Sequence, residues 1–518
     1  MFATNFTWLD WLIVIVYLVG TGAVGVWVNR YIHSVDDYMV GGRASGTFLN
    51  TASFIGTGLG LVTIMYASMD GFNRGFACLI LPLIGVCGAL FVGSTGFVIK
   101  RLRTLKLTTI TEFFEVRFDR RCRIAAGLIC AVAGILNMGL FPKMGATYIT
   151  YATGLASQFE NPVLIVNLVT SALIVLVLVY TVMGGMVSVI VTDYMQFIVL
   201  GIGLVVAVCF VLTLPGLGWN DLCATLLEHK GEAAFNPMHG EGYGWLFVAW
   251  MFFQVGIIGA VGWAPEASRA LTAKDAETSR KTFLLAMPGQ FARWALPAIL
   301  AIAAFAFIVR DPALMGHFFP DGVAEGSKFA GQALPLFLGK VVPTGLLGII
   351  SAGLLAAFMS THDSYFLCWS SVIVRDVIGP TRKQAMTDRD QIKWTRICIV
   401  GIGMFLLIWG VWYELPESVW SYMAITGAVY FCGAGVALIG GVYWKKASST
   451  GAFVCIIAGL ISLIGLDPIL KPIQELLPWV TAPIVSLFNY GVCITLFVVC
   501  SLVFPDPKKA PEGESEEA

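Results

Sequence analysis

Charge is what this sequence has least of. Of its 518 residues 12% are Asp, Glu, Lys or Arg, while 58% are hydrophobic; a soluble domain carries about 25% charged residues. Disorder, a coiled coil and a cytosolic enzyme are excluded on that ground. Lys+Arg and Asp+Glu both number 32, so no surplus of either sign points to nucleic acid or an acidic partner. Cysteine chemistry is also missing. Ten of the twelve cysteines lie inside apolar runs, Cys122 sits in a basic loop, Cys223 stands alone in a polar one, and no CxxC pair occurs. They are expected to act as small hydrophobes rather than as metal ligands or disulfides. No basic segment and cleavage site precede the first apolar run, which is therefore expected to be a span rather than a signal peptide. The tail at 505–518, PDPKKAPEGESEEA, is too polar and short to fold and reads as disordered.

What is abundant is long apolar sequence. A membrane helix needs about 20 apolar residues, and runs of that kind fall at 8–28, 47–70, 75–99, 121–153, 162–183, 188–215, 243–264, 285–309, 342–376, 394–414, 418–443, 450–467 and 481–504. A transmembrane barrel would show short alternating segments instead. The expectation is an all-α membrane protein of thirteen spans, its termini on opposite faces. Loops that alternate along the chain, together with the tail, hold 24 of the 32 Lys and Arg. The opposite set holds six: Arg74, Lys230, Arg310, Lys328, Lys340 and Lys471. Basic residues mark the cytoplasm, which places the N-terminus outside and the C-terminus inside a plasma membrane.

Polar residues within the spans mark where function is to be sought. A charge at a helix centre costs roughly 2.5–3.5 kcal/mol on insertion scales, and the charged or titratable candidates are Lys143, Asp193, Glu266, Arg293, His362 and Asp363. Glu266 and Arg293 lie near helix ends, where snorkelling is the simpler account. Lys143 follows Pro142 in a long span. His362 has no second His or Cys to complete a metal set. In the ninth span Ala357, Ser360, Thr361 and Ser364 recur at i, i+3, i+4 and i+7, one helical face. Two hydroxyls there could ligate a cation; small-residue helix packing explains the face equally well. The second span carries Gly56, Gly58 and Gly60 at its middle, and the seventh Gly256, Gly259, Gly262 and Pro265. Such glycines permit unwinding that frees carbonyls, and two interrupted helices five apart suggest an inverted repeat with its site at the repeat interface.

At 180–196 the chain reads YTVMGGMVSVIVTDYMQ. This resembles the signature of the sodium:solute symporter family, in which Gly184 and Gly185 precede Asp193 and Gln196. DYMVGGR at 37–43, STHDSYFLCWSSVIVRD at 360–376 and YWKKASSTGAF at 443–453 are similar to other family segments in the same order. The resemblance spans the membrane region. It implies the leucine-transporter fold, with spans 2–6 and 7–11 as inverted five-helix repeats. It implies a sodium site of the main-chain carbonyls of Ala52, Ile55 and Ala357 and the hydroxyls of Ser360 and Thr361. Some members hold a second sodium; here Asp193 and Ser364 fit, but Tyr365 stands where those members have another Ser. Sugar-transporting members use a Gln where this chain has Met423, and a polar residue where it has Trp263, although Lys143 resembles a lysine of some of them. Gln254, Trp263, Lys143 and Met423 are the expected cavity walls.

The resulting expectation is a sodium-coupled importer of a small polar organic solute, working by alternating access with Na⁺ as coupling ion and no cofactor. Its expected partners are the solute, Na⁺ and the lipid bilayer, with no obligate protein partner. A sodium-coupled sugar transporter and a transporter-like sensor are the alternatives, but a sensor needs an output domain that the short tail does not supply. A channel would want a ring of ligands, and the adjacent pair His362–Asp363 points in directions too divergent for an acid–base relay. The orientation has a direct check. A cysteine at Thr4 will react with impermeant thiol reagents in intact cells, and one at Ser515 only after the cells are opened; the reverse pattern overturns the assignment.

Overall fold

The computed structural model describes residues 2–28, 46–183, 186–239, 243–324, 326–416 and 418–507, without the side chains at 22, 25, 26, 28, 180, 183, 186–193, 195–197 and 268–270. Among these residues there is helix and loop but no strand. The membrane elements begin with α1 (Trp8–Val28), α2 (Thr47–Gly58), α3 (Leu61–Arg74), α4 (Ile80–Thr95), α5 (Arg120–Met138) and α6 (Phe141–Ala152). There follow α7 (Pro162–Met183), α8 (Met186–Leu212), the peripheral α9 (Trp219–Lys230), α10 (Gly244–Met251), α11 (Ala264–Thr272) and α12 (Ala276–Ile308). The series closes with α13 (Ala330–Val341), α14 (Leu346–Val372), α15 (Asp388–Trp412), α16 (Val419–Tyr430), α17 (Val436–Tyr443), α18 (Ser449–Ala458), α19 (Asp467–Leu476) and α20 (Ala482–Val503).

Helix occupies each of the thirteen expected intervals. By length and apolarity, nine helices among the described residues qualify as spans, and a tenth if the pair Ser449–Gly465 and Asp467–Leu476, bent by 70°, is one. Trp8–Thr21 and Ile198–Leu212 count among the described residues only as shorter apolar helices; the rest of the difference is physical. A 3₁₀ turn at Gly75–Leu79 joins α3 to α4, so Leu61–Thr95 forms one run of 35 residues. α2 alone has only 12 residues, because the second span is broken.

Several helices start where a side chain takes up a backbone N–H that the helix cannot satisfy. Asp119 accepts from Cys122 N at the start of α5, Asp275 from Thr278 N at α12, Thr387 from Asp390 N at α15 and Ser448 from Gly451 N at α18. All four caps lie on the side carrying the basic loops. On the other side the chain forms α9 and α13, where the sequence reading expected only loop. α13 packs on α3 and α6, and Asn5 N donates to the Gly339 carbonyl at 2.6 Å.

α12 runs along α2, α3 and α4, while α5, α8 and α1 pack on α14. Two buried carboxylates hold α14 at its ends. Asp10, 0% exposed, accepts from Thr7 N at 2.8 Å, and its other oxygen accepts from Gly345 N and Gly348 N at 2.7 and 2.8 Å. One carboxylate thus caps both α1 and α14. Just beyond the other end of α14, the Asp376 carboxylate, also 0% exposed, accepts from Arg123 Nε at 2.8 Å, Thr109 Oγ1 at 3.0 Å and Thr111 Oγ1 at 2.6 Å. Removing one partner of a buried ion pair strands the other charge and typically costs about 3–5 kcal/mol. Arg123 keeps Glu115 at 2.6 Å, so Asp376→Asn should lose about 3 kcal/mol, near the lower bound. A lowered midpoint of thermal unfolding in detergent checks this; an unchanged midpoint would mean that the pair is not a structural anchor.

Candidate functional site

The second span is interrupted where its glycines predicted. α2 ends at Gly58 and α3 begins at Leu61, with Leu59 in neither helix at φ −89° and ψ 55°. The need for glycine here is steric. A Cβ on Gly58 would stand 1.5 Å from Arg293 Nη1, and one on Gly60 2.3 Å from Thr361 Oγ1. The interrupted backbone therefore passes between a guanidinium of α12 and a hydroxyl of α14 with no space for a side chain on either glycine.

The seventh span is interrupted too. α10 gives way to a π-helical stretch, Phe252–Gly259, a short turn, Ala260–Gly262, and then extended backbone at Trp263 (ψ 111°) before α11 starts with Pro265 in its first turn. A proline there needs no N–H partner. π segments and breaks at membrane depth are tolerated where they are buried or line a cavity.

The break regions enclose a cavity of about 170 Å³, whose walls include Gln254, Trp263, Met423, Thr361 and Tyr365. Three of the four expected wall residues are present. Lys143 is not among them: its amine donates to the Tyr413 carbonyl at 2.7 Å, just beyond the end of α15. Carbonyls at a helix C-terminus lack partners and attract a cation. This pull corrects the expectation of a cavity lysine.

Gln254 lines the space with both ends of its amide engaged. Its Nε2 donates to the Ala424 carbonyl at 2.8 Å, and its Oε1 accepts from Tyr490 of α20 at 2.7 Å. Trp263 donates from Nε1 to the Tyr365 hydroxyl at 3.0 Å and meets Trp369 and Phe431 edge-on. Tyr365, where a serine was expected, thus fastens the break in the seventh span to α14. The Met423 carbonyl accepts from Asn137 Nδ2 at 3.0 Å.

Of the expected sodium ligands, Ala52 and Ile55 are buried in α2, and Ala357, Ser360 and Thr361 are buried in α14; these two helices pack together. The Thr361 hydroxyl donates to the Ala357 carbonyl at 2.9 Å, and the Ile55 carbonyl accepts from Leu59 N at 2.8 Å. The donor set is all oxygen, the chemistry of a hard cation. Ser364 is buried one turn along from Ser360. Asp363 accepts a short hydrogen bond from Thr181 of α7. His362 Nδ1 lies 2.7 Å from the Phe358 carbonyl one turn back. Among the described residues no three metal-ligating side chains cluster. The side chain of Asp193, the pair Gly184–Gly185 and the motif at 37–43 lie outside the described residues.

Two groups read as helix-end residues turn out to belong to the cavity. Arg293 and Glu266 both line it, and Arg293 Nη1 donates to Glu266 Oε1 at 3.0 Å. They are 27 residues apart and come together only because α11 turns back into α12, so no local spacing announced them. Across the cavity Trp294 donates to the Tyr66 hydroxyl at 3.0 Å, and Trp420 packs edge-on against both rings at 4.8 and 5.2 Å. All three aromatics line the cavity.

Two interrupted helices around a central cavity, with an oxygen-rich face on a continuous helix beside one break, define a secondary transporter. The family pattern of the sodium:solute symporters matches residues 38–459, and the chain belongs to that family. It is 24% identical over 480 residues to the sodium/sialic acid symporter SiaT of Proteus mirabilis, covering 89% of this chain and 90% of the relative. To the human high affinity choline transporter 1 it is 26% identical over 402 residues, covering 74% and 64%. Its fold matches a Na⁺-coupled sialic acid symporter solved in a substrate-bound outward-open state, with a TM-score of 0.76 and 19% identity over 97% of this chain and all of that one. The fold is thus that of the sodium symporters, and the protein is a sodium-coupled solute symporter.

Thr361→Ala and Ser360→Ala should weaken Na⁺ activation about tenfold or more, the scale of losing a hydrogen-bonding oxygen to a charge, with little change in folding. Gly60→Ala should do the same by displacing the Thr361 hydroxyl. Sodium titration of each purified variant checks this; parent-like sodium affinity in all three removes these residues from the site.

Proposed function

We propose that this symporter imports a small polar organic solute by alternating access, with Na⁺ bound between α2 and α14. The single observation that carries this reading is the approach of the break at Gly60 to Thr361 Oγ1. It brings the break that follows α2 next to a hydroxyl of α14, which supports a cation held between the two helices. In this reading Ala52, Ile55 and Ala357 supply carbonyls and Ser360 and Thr361 hydroxyls. Na⁺ draws α2 onto α14 and thereby shapes the cavity beyond the break, so ion and solute stabilise the same conformation. Each inward charge gains about 2.3 kcal/mol per 100 mV, with the sodium gradient in addition.

A solute of modest size fits this cavity, since about 170 Å³ is below the ~300–1,000 Å³ of drug-sized pockets. Relatives transport sialic acid and choline, so the family resemblance leaves the solute open. The Gln expected of a sugar carrier is here Met423, whose carbonyl is already engaged by Asn137. Asp193 and Ser364 would serve a second cation or the ion's exit, and spans 2–6 and 7–11 would be the moving repeats. The N-terminus would face outward across the plasma membrane and the C-terminus the cytoplasm.

Uptake of labelled solutes into proteoliposomes, with and without an inward Na⁺ gradient, tests the reading. Gradient-dependent accumulation is expected, and Asp193→Asn should reduce it or alter its sodium dependence, because the charge is removed at nearly constant size. Absence of sodium-dependent accumulation would overturn the symport reading; parent-like kinetics in Asp193→Asn would remove Asp193 from it.

A further inference from the structure

We infer that the solute is a small carboxylate that also bears a hydrogen-bond donor, a hydroxyl or amino group, and that Arg293 and Asn137 recognise its two ends. The inference rests on the symport reading and extends it to a substrate class.

Its first support is the state of Arg293. The side chain is buried, yet it pairs with Glu266 through Nη1 alone, and its Nε is buried without a hydrogen-bond partner among the described residues. A buried donor on a charged group is costly to leave unmade. The guanidinium is also fixed in place: its carbon lies 4.9 Å from the Trp294 ring, and Nη1 occupies the space that a Cβ on Gly58 would fill. A planar fork held in this way, with donors still to satisfy, suits a carboxylate.

The second support is independent. Asn137 lines the same cavity. Its Nδ2 donates to the Met423 carbonyl at 3.0 Å and to Thr426 Oγ1 at 2.9 Å, which fixes the amide so that Oδ1 cannot be exchanged for the nitrogen. That Oδ1 is buried with no partner among the described residues. Two residues that line a single small cavity, one cationic and one neutral, thus each carry a buried polar atom with no partner among the described residues. A quaternary amine has no hydrogen-bonding group to offer either of them, and the Arg293–Glu266 pair carries no net charge toward it. A neutral polyol lacks the charge, and the Gln254 amide that would otherwise bind it is engaged at both ends.

The test uses three probes of the same carbon skeleton, propionate, lactate and alanine, with choline and glucose as controls, in sodium-driven uptake by the full-length protein. Lactate or alanine should be taken up and compete about tenfold or more better than propionate, and the controls should neither enter nor compete. Asn137→Ala should abolish the preference over propionate. Arg293→Gln alone strands Glu266, so the informative variant is the neutral pair Arg293→Gln with Glu266→Gln, which removes both charges together. It should retain ²²Na⁺ binding in detergent and lose carboxylate uptake, whereas Arg293→Lys should keep part of it. Uptake of choline or glucose in preference to the carboxylates, failure of all three carboxylates to enter or compete, or parent-like lactate uptake by the neutral pair overturns the inference. ²²Na⁺ binding to the parent separates the two readings: its loss defeats sodium coupling itself, whereas its presence without carboxylate uptake defeats only the substrate class.

Discussion

Everything at the centre of this molecule depends on a backbone segment running where no side chain fits. Residues 58–60 lie between Arg293 and Thr361, and a Cβ on either flanking glycine would collide with one of them. The interruption leaves main-chain groups of α2 and α3 outside regular helix at membrane depth, where unmet polar groups are expensive. Part of the need is met nearby: Thr63 Oγ1 donates to the Gly58 carbonyl and Ile64 N to that of Gly60. In the proposed reading the same short segment touches the arginine of the solute site and the threonine of the sodium site, so a shift at one contact is felt at the other across a few bonds. Coupling in this protein requires no long relay.

The surroundings are built to keep one side of that contact still. Asp10 and Asp376 each gather donors from separate segments onto one buried carboxylate, and α14 runs between them. Its length is further filled by large rings packed against glycines: Trp369 takes the space a Cβ on Gly134 would occupy, and Phe358 that of Gly145. Tight packing of this kind resists small displacements. In the proposed reading the oxygen-bearing face of α14 is therefore the fixed reference for the interrupted helix.

Much of this was legible in the sequence because it is local. Glycines two residues apart gave the break in α2, Pro265 marked the restart of α11, and the recurrence of Ala357, Ser360, Thr361 and Ser364 gave a buried small, hydroxyl-bearing face on α14. What the sequence hid is held by contacts between distant segments. Arg123 and Asp376 lie 253 residues apart, and neither the Trp263–Tyr365 bond nor the Arg293–Glu266 pair has a periodic signature. Lys143 shows the converse error. Its position in a span suggested a cavity, but free carbonyls at the end of α15 lay within reach of its long side chain, and a flexible ammonium goes where acceptors are concentrated. α9 and α13 escaped notice because they are too short and too mixed in polarity to stand out beside the long apolar runs.

The amide of Gln254 ties the start of the π stretch after α10 to the Ala424 carbonyl of α16 and to Tyr490 of α20 at once. The seventh span is therefore a jointed arm with its upper segment moored to two neighbours. A displacement of its lower segment, α11, would then be absorbed beyond that mooring, between 255 and 263, in the rest of the π stretch and the extended Trp263. That joint is also the wall of the cavity, so bending the arm and reshaping the chamber are one motion. A solute that stiffens the wall stiffens the joint, and the final helix of the chain, outside the two expected repeats, becomes the mooring post for a moving part.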